Sequence, residues 1–210
     1  MSKVSVYIDG FNLYHAIAAL EDQRLKWVNF KALAESFLRP GEKLERVAYF
    51  TAVLKWDKQK QDRHVNFIAA QRALRVDVIE SHFRKLDRHC RQMDRYCRRD
   101  EEKQTDVSIA LEAFADAMLD RYDRAILITA DSDQVPLVRA IRAHFPTKHV
   151  TLAVPPGRGE GARELGSVVH DRTPIHANRL RGCLLPQNVY NLAGKLVAQR
   201  PAVYSLQISN

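Results

Sequence analysis

Short apolar runs rich in β-branched and aromatic residues alternate along this chain with longer runs whose apolar residues recur at helical spacing. The short runs predict strands over residues 4–8, 44–53, 76–83, 124–130 and 149–155. The longer runs predict helices over residues 12–20, 30–38, 57–74, 106–121 and 135–143. A helix between each strand and the next is typical of βαβ units. The pattern therefore predicts an α/β protein with a mainly parallel central sheet of about five strands.

Two details of this pattern lead to further predictions. In the helix predicted over 106–121, the apolar face that we expect to pack on the sheet consists of Val107, Ala110, Leu111, Phe114 and Met118. After Pro186 the pattern becomes hard to assign. We therefore expect one domain over residues 1–186 and an appendage of uncertain structure over residues 187–210.

Composition and charge narrow the class of protein. The 210 residues are 46% hydrophobic and 28% charged, and the longest apolar runs fall well short of a membrane span. Three cysteines without a secretory pattern argue against a disulfide framework. We therefore expect a cytoplasmic protein without a membrane partner. A formal net charge of +8 is compatible with a polyanionic partner.

Much of the positive charge lies in residues 84–99, where "RKLDRHC" is followed directly by "RQMDRYC". As a helix, this segment would align its basic residues, including Arg88, Arg91 and Arg95, in one stripe. That stripe either contacts phosphates or is a solvated face with Asp–Arg pairs at i, i+4. Cys90 and Cys97 would lie roughly 10 Å apart in such a helix, too far for one zinc ion, so a zinc site would require a loop.

Carboxylates follow two of the predicted strands. Asp9 and Gly10 follow "VSVYI", and Asn12 can cap the next helix and direct an amide into the same crevice. Asp131 and Asp133 follow "RAILITA" and would lie about 6.5–7 Å apart on one face of an extended chain. Asp106 opens a predicted helix. Each of these residues taken singly could instead be a helix cap, a partner of the helix dipole or a turn former.

The carboxyl ends of parallel strands meet at one edge of a sheet, where α/β proteins bind their ligands. Four carboxylates that converge there repel one another unless a cation neutralises them or some stay protonated. Oxygen ligands with open positions suit Mg²⁺ or Mn²⁺, which bridge readily to phosphate. The cluster therefore favours metal-assisted hydrolysis of phosphodiester bonds, with water as the nucleophile.

Other families also place DxD after an apolar strand. Phosphatases of the haloacid dehalogenase type have this motif near the N-terminus and a later acidic pair, whereas here it begins at Asp131 and no such pair follows. Toprim domains have an early glutamate, where this chain has Asp9. The resemblance to either of these two families is therefore weak.

The blocks "VYIDGFNLYHA", "EEKQTDVSIALEAFADAM" and "YDRAILITADSDQVPLVRAI", in this order, resemble the NYN domain family and its LabA/DUF88-like branch, relatives of the PIN nucleases. The resemblance covers residues 2–186. It implies a PIN-like three-layer α/β/α fold and a divalent-metal site that acts on RNA. It implies metal-binding, catalytic roles for four acids: Asp9, Asp106, Asp131 and Asp133.

The resemblance also suggests residues that contact the substrate. Asn12 would be a polar neighbour of the metal site, Lys103 would contact a phosphate or pair with Glu101 or Glu102, and Ser132 would donate a hydrogen bond within the site. The expected activity is that of a Mg²⁺- or Mn²⁺-dependent ribonuclease, and we favour an endonuclease over an exonuclease. The alternatives are a non-catalytic RNA-binding or regulatory module with a structural metal site and, third, a small phosphatase. A homodimer is compatible with all three.

Overall fold

A seven-stranded sheet forms the centre of the protein. The computed structural model describes residues 1–53, 57–90 and 95–205, and within residues 82–90 and 95–103 it describes the backbone alone. The strands of this sheet run in the order β4-β3-β2-β1-β5-β6-β7. Their bounds are β1 Ser2–Asp9, β2 Glu42–Ala52, β3 Asp77–Cys90, β4 Arg95–Lys103, β5 Arg124–Ile128, β6 His149–Val154 and β7 Asp171–Pro174.

Seven α-helices accompany the strands in the described part of the chain. They are α1 Gly10–Ala18, α2 Phe30–Glu35, α3 Lys58–Ala73, α4 Thr105–Met118, α5 Val135–His144, α6 Arg163–Val168 and α7 Ala177–Arg181. Three short 3-10 helices cover Gln23–Trp27, Ser132–Gln134 and Ala202–Tyr204. All five helices and all five strands predicted from the pattern are present, with ends shifted by a few residues except at the long extension of β3.

Six strands of the sheet are parallel, and β4 at the edge pairs antiparallel with β3. In the middle, β1 pairs with β2 on one side and with β5 on the other, so Asp9 lies opposite Phe50 and Ile8 lies opposite Ile128. The carboxyl ends of β1 and β5 are therefore neighbours. The predicted α/β class with a mainly parallel sheet is confirmed.

Two hydrophobic layers cover the two faces of the sheet, as side-chain alternation along a strand requires. In β1, Val6 and Ile8 belong to one layer with residues of α1, α2 and α3, whereas Tyr7 belongs to the other with residues of α4, α5 and α6. Trp27 and Phe50 are among the largest fully buried side chains. The result is the expected three-layer α/β/α arrangement.

The face of α4 that packs on the sheet differs from the predicted one. Val107, Leu111 and Met118 are exposed to 61%, 65% and 63%, so the prediction that they pack on the sheet was wrong. Ile109, Ala113, Asp116 and Ala117 are buried instead. Small alanines let the helix approach the sheet closely. Asp116 reads as a solvent-facing residue, but its carboxylate accepts hydrogen bonds from the Tyr7 hydroxyl at 2.8 Å and from Arg46 at 2.7 Å.

Residues 84–90 and 95–99 of the basic segment lie in strands, so the prediction of a helix there was also wrong. β3 continues to Cys90 and β4 returns from Arg95, with His82 opposite Lys103 and Cys90 opposite Arg95. The helical interpretation used local spacing alone, whereas here the two strands satisfy each other's backbone hydrogen-bonding groups. The predicted Asp–Arg pairs and a zinc site at the two cysteines involve side chains outside the described ones. We call residues 82–90 and 95–103 the basic arm.

The C-terminal region contains a two-stranded antiparallel sheet, β8 Asn188–Tyr190 and β9 Leu196–Gln199. Val189 and Ala198 are buried in the same hydrophobic layer as α1 to α3, and Trp27 Nε1 donates a hydrogen bond to the Pro186 carbonyl at 2.9 Å. The division of the chain at residue 186 stays a prediction. Within the described residues, the helices are all too short or too polar to cross a membrane.

Gly10 lets α1 start directly beneath β2. A Cβ atom built at this position would lie 2.5 Å from the Phe50 carbonyl oxygen and 2.5 Å from the Tyr49 ring. Because the first of these atoms is backbone, the clash cannot be relieved by a side-chain rotation. The start of α1, and with it the position of Asp9, therefore depends on glycine here.

We predict that Gly10→Ala lowers the free energy of unfolding by about 1–3 kcal/mol through overpacking. The melting temperature should fall by roughly 2–4 °C per kcal/mol for a chain of this size. Gly159→Ala is the matched control, because a Cβ there would meet only the Arg172 guanidinium at 3.6 Å. Equal melting temperatures for the two variants in a thermal unfolding experiment would contradict the prediction.

Candidate metal site at the carboxyl edge of the sheet

Three chain segments meet at the carboxyl edge of the sheet. β1 ends at Asp9, the 3-10 helix Ser132–Gln134 follows β5, and α4 begins at Thr105. Asp9, Asp106 and Asp131 line one open pocket of about 300 Å³ between these segments. The structure thus brings together aspartates that are as much as 122 residues apart in sequence.

Asp9 is buried, at 5% exposure, and both of its carboxylate oxygens accept hydrogen bonds. Oδ1 accepts the backbone N–H of Asn12 at 3.0 Å and so caps α1. Oδ2 accepts the hydroxyl of Thr129 at 2.9 Å, which joins the end of β1 to the end of β5. Burial raises the pKa of Asp9, while the hydrogen bonds from Asn12 and Thr129 lower it and the charge of Asp131 raises it further.

Asn12 and Thr129 continue this hydrogen-bonded network. Oδ1 of Asn12 accepts the backbone N–H of Ala130 at 3.1 Å, so α1 is tied to the segment after β5. Oγ1 of Thr129, which donates to Asp9, also accepts the backbone N–H of Asp131 at 3.1 Å. The backbone that carries Asp131 is therefore held at a fixed position relative to Asp9.

Asp131 and Asp133 are closer together than an extended chain would place them. Asp131 caps the 3-10 helix Ser132–Gln134, and its Oδ1 accepts the backbone N–H of Asp133 at 2.9 Å. The turn brings carboxylate oxygens of Asp106, Asp131 and Asp133 to within 4.8 Å of one another. Atoms at these separations can bind one cation together.

The pKa of Asp106 shows that the clustered carboxylates repel one another. Partial burial raises the pKa of its carboxyl to about 6, and the charges of Asp131, Asp9 and Asp133 add to the rise. Carboxylate oxygens are the donors that Mg²⁺ and Mn²⁺ prefer. The residues therefore fit a divalent cation, which would offset their mutual repulsion.

Buried polar side chains fix the start of α4 against its neighbours. Nε2 of Gln134, which is 1% exposed, donates a hydrogen bond to the backbone carbonyl of Asp106 at 3.2 Å. The hydroxyl of Thr105 donates to Oγ of Ser81 in β3 at 3.0 Å. Asp106 is thus held between the segment after β5 on one side and β3 on the other.

The residues predicted to bind the substrate do not all lie beside the aspartates. Ser132 lies in the turn between Asp131 and Asp133 and is partly exposed. Lys103 is the last residue of β4, directly before the segment that carries Asp106. Arg88 and Arg95 lie in the strands of the basic arm, whose side chains are not described, and Arg91 lies outside the described residues.

Two polar residues of the pocket wall were missed by the sequence analysis. His15 and Arg158 line the same pocket as the aspartates. His15 lies three residues after Asn12 in α1, and that helical spacing is a signal that could have identified it. Arg158 lies in "PPGRGEG", a glycine-rich loop directly after the carboxyl end of β6.

Comparison with known proteins agrees with this geometry. The sequence model of the NYN domain matches residues 3–171, most of the chain. The chain belongs to the NYN domain family. NYN domains form part of the PIN-like nuclease superfamily, so the resemblance found in the sequence blocks is confirmed. The chain therefore has a nuclease-like fold with an aspartate cluster at the end of its sheet.

Two individual proteins are similar to this NYN domain protein. The 6-hydroxy-3-succinoylpyridine 3-monooxygenase HspA of Pseudomonas putida is 26% identical over 222 residues, which cover 88% of this chain and 70% of that protein. The crystal structure of a protein of unknown function from Vibrio parahaemolyticus superimposes with a TM-score of 0.52 at 21% identity, covering 88% of this chain and 96% of the other. The second likeness shows a common fold alone.

The raised pKa of Asp106 predicts how stability varies with pH when EDTA keeps the protein free of metal. The folded protein binds the Asp106 proton more tightly than the unfolded chain does, so this residue costs stability as pH rises from about 4 through about 6. Asp106→Asn removes that cost. Above pH 7 the variant should be more stable than the unchanged protein by about 1 kcal/mol, a value discounted because the group is only partly buried. Below pH 4 this advantage should vanish.

Thermal unfolding at pH 4 and pH 8 in EDTA measures this difference. Glu45→Gln, an exposed charge removal near the amino end of β2, is the control and should show no such gain. If Asp106→Asn shifts the melting temperature equally at the two pH values, the carboxylates do not repel one another as described.

Proposed function

We propose that this protein is a divalent-metal-dependent ribonuclease, acting as an endonuclease, that hydrolyses RNA phosphodiester bonds. The observation that carries this proposal is the convergence of Asp9, Asp106 and Asp131 on one pocket, with Asp133 beside them. Membership of the NYN family supports RNA as the substrate class. A cluster of acids without a cation would repel a phosphodiester, so the proposal includes a bound metal ion.

Asp106, Asp131 and Asp133 would hold Mg²⁺ or Mn²⁺, and Asp9 would contribute to the same site. When bound, such an ion supplies Lewis-acid chemistry that polarises the phosphoryl oxygen and makes water a better nucleophile. The hydrogen bonds from Asn12 and Thr129 keep the Asp9 carboxylate in one orientation. The Asp106 carboxyl, whose pKa is raised to about 6 when no cation is bound, must lose its proton to bind the ion, so protons and the ion compete for this residue.

Residues around the acids would bind the substrate. Arg158 on the pocket wall would pair with a phosphate oxygen of the RNA. Oδ1 of Asn12 is occupied by the Ala130 N–H, so the contribution of Asn12 to substrate binding would come from its amide NH₂ group. Ser132 would donate from its hydroxyl at the turn between the last two acids.

The basic arm would bind the RNA backbone farther from the acids. It starts at the pair His82–Lys103 and ends at the pair Cys90–Arg95, a span of up to about 26 Å at roughly 3.3 Å per residue. Lys103 at its base would contact a phosphate close to Asp106. Arg88 and Arg95 near its far end would contact phosphates several nucleotides away, and we assign the same role to Arg91, which follows Cys90 in sequence.

We predict that Asp131→Asn lowers the rate of RNA cleavage in Mg²⁺ or Mn²⁺ by about 100-fold or more, because the loss of a ligand should cost at least as much as the loss of a residue that supports one. Glu45→Gln is again the control and should cleave at the unchanged rate. Labelled single-stranded and structured RNAs, with EDTA as the metal-free arm, provide the measurement.

The same assay decides among the rival functions. Equal cleavage by Asp131→Asn and the unchanged protein would exclude the proposed site. No cleavage together with salt-sensitive RNA binding would favour a non-catalytic RNA-binding or regulatory module with a structural metal site. Turnover of a simple phosphomonoester without RNA cleavage would favour a phosphatase.

For the basic arm, we predict that replacing Arg88, Arg91 and Arg95 together by Glu weakens RNA binding at every salt concentration. The slope of log affinity against log salt should fall by about 2, because each single-strand phosphate contact contributes roughly 0.7. The control replaces the exposed Lys31, Lys43 and Lys195 by Glu, which changes the net charge equally. If both triple variants reduce the slope alike, the effect comes from net charge and not from contacts of the arm.

Two broader properties also remain our predictions. A cytoplasmic location fits the composition and the absence of a membrane-crossing helix among the described residues. For a homodimer, the exposed apolar face of α4 formed by Val107, Leu111 and Met118 is a surface that a second copy would cover.

A further inference from the structure

A second pocket lies on the other side of α1, away from the aspartates. Its volume is about 250 Å³, and its wall comes from α1, the 3-10 helix Gln23–Trp27, the start of α2, β2, α3 and the 3-10 helix Ala202–Tyr204. We call it the aromatic pocket, because six aromatic side chains contribute to its wall: Phe11, Tyr14, Phe30, Tyr49, Phe67 and Tyr204. Tyr14 is 45% exposed at its edge, whereas Tyr49 is buried at its base.

Three cationic side chains also line the aromatic pocket: Lys26, Lys60 and Arg63. Aspartate and glutamate do not occur among its described lining residues. Lys60 pairs with Asp57 at 3.3 Å outside the pocket wall, and the charge of Arg63 also acts on that carboxylate. Burial and the charge of Arg63 both lower the pKa of Lys26. An anionic group between these two cations would relieve that repulsion.

The base of the aromatic pocket is polar at one point. Nε2 of His64 lies 3.2 Å from the Tyr49 hydroxyl and 3.1 Å from Oγ1 of Thr51, within hydrogen-bonding distance of both. Burial lowers the pKa of His64, which favours its neutral imidazole. Neutral donors and acceptors beside aromatic rings are suited to the edge of a heterocyclic base.

The aromatic pocket adjoins the metal site. Phe11 lines both pockets, and it is the residue between Gly10, which lines the aromatic pocket, and Asn12, which lines the other. A ligand in the aromatic pocket would therefore lie one side chain away from the aspartates. An RNA strand that crosses the carboxyl edge of the sheet would bring a neighbouring nucleotide to this position.

We propose that the aromatic pocket binds one unstacked nucleotide of the RNA, with its base among the aromatic side chains and its phosphate between Lys26 and Arg63. The proposal rests on the proposed ribonuclease function for its choice of substrate. Stacking on aromatic rings is the usual way in which proteins hold unpaired bases. The pocket volume is just below the range of about 300–1,000 Å³ that is common for small-ligand sites, which suits one nucleotide and excludes a duplex.

The test measures binding of UMP and AMP by calorimetry in EDTA, so that neither metal nor cleavage contributes. Uridine, which lacks the phosphate, and ribose 5-phosphate, which lacks the base, should each bind at least tenfold more weakly than UMP. Tyr14→Leu should weaken UMP binding about tenfold through loss of stacking. Tyr190→Leu, a matched exposed tyrosine on β8, should bind UMP normally.

A second variant tests the contribution of the phosphate separately from that of the base. Lys26→Gln should weaken UMP binding about tenfold and uridine binding by much less, because Lys26 would contact the phosphate, although its Nζ also lies 5.6 Å from the centre of the Tyr14 ring. In the cleavage assay, Tyr14→Leu should raise KM and leave kcat close to normal, which a loss of folding would not do.

Several results would overturn the proposal. Binding of ribose 5-phosphate as tight as that of UMP would show a site for phosphate alone. Tighter binding of 6-hydroxynicotinate than of UMP and AMP would assign the pocket to a free aromatic acid. Absence of nucleotide binding would also overturn it. RNA cleavage that fails while UMP binds as expected would overturn the proposed function and leave nucleotide binding by the aromatic pocket standing.

Discussion

Repulsion among the aspartates at the carboxyl edge of the sheet is the interaction around which this structure is organised. The hydrogen bonds from Thr129 and Asn12 hold Asp9 at the junction of β1 and β5 despite its burial. The turn after Asp131 then adds more negative charge beside Asp106, whose pKa rises accordingly. A chain with an excess of basic residues thus concentrates acids at one point, as a site for a cation requires.

Local patterns were sufficient to predict the order of the strands and helices, because each apolar run is long enough to show its period. The position of the site followed from one rule of parallel sheets, which places the ends of neighbouring strands side by side. Asp9 and Asp131 could therefore be assigned to one site from sequence. The turn that shortens the distance between Asp131 and Asp133 could not, because it depends on the capping of a 3-10 helix.

Errors arose where a residue's environment depends on a distant partner. Asp116 reads as polar and solvent-facing, yet Tyr7 and Arg46 satisfy it inside the protein, and this rotates the buried face of α4. The basic arm was interpreted as a helix from the local spacing of its residues, and the pairing of β3 with β4 overrides that local signal. The aromatic pocket could not be predicted from sequence, because its residues come from five separate segments of the chain.

Gln104 joins the basic arm to α4, and its left-handed backbone, with φ of 81°, is a strained conformation for a residue with a side chain. Asp9 and Asp131 are fixed to the sheet, whereas Asp106 follows this bend directly. The hydrogen bonds of Gln134 and Thr105 hold the start of α4 against this strained bend, so one backbone conformation outside the sheet sets where the third acid meets the other two.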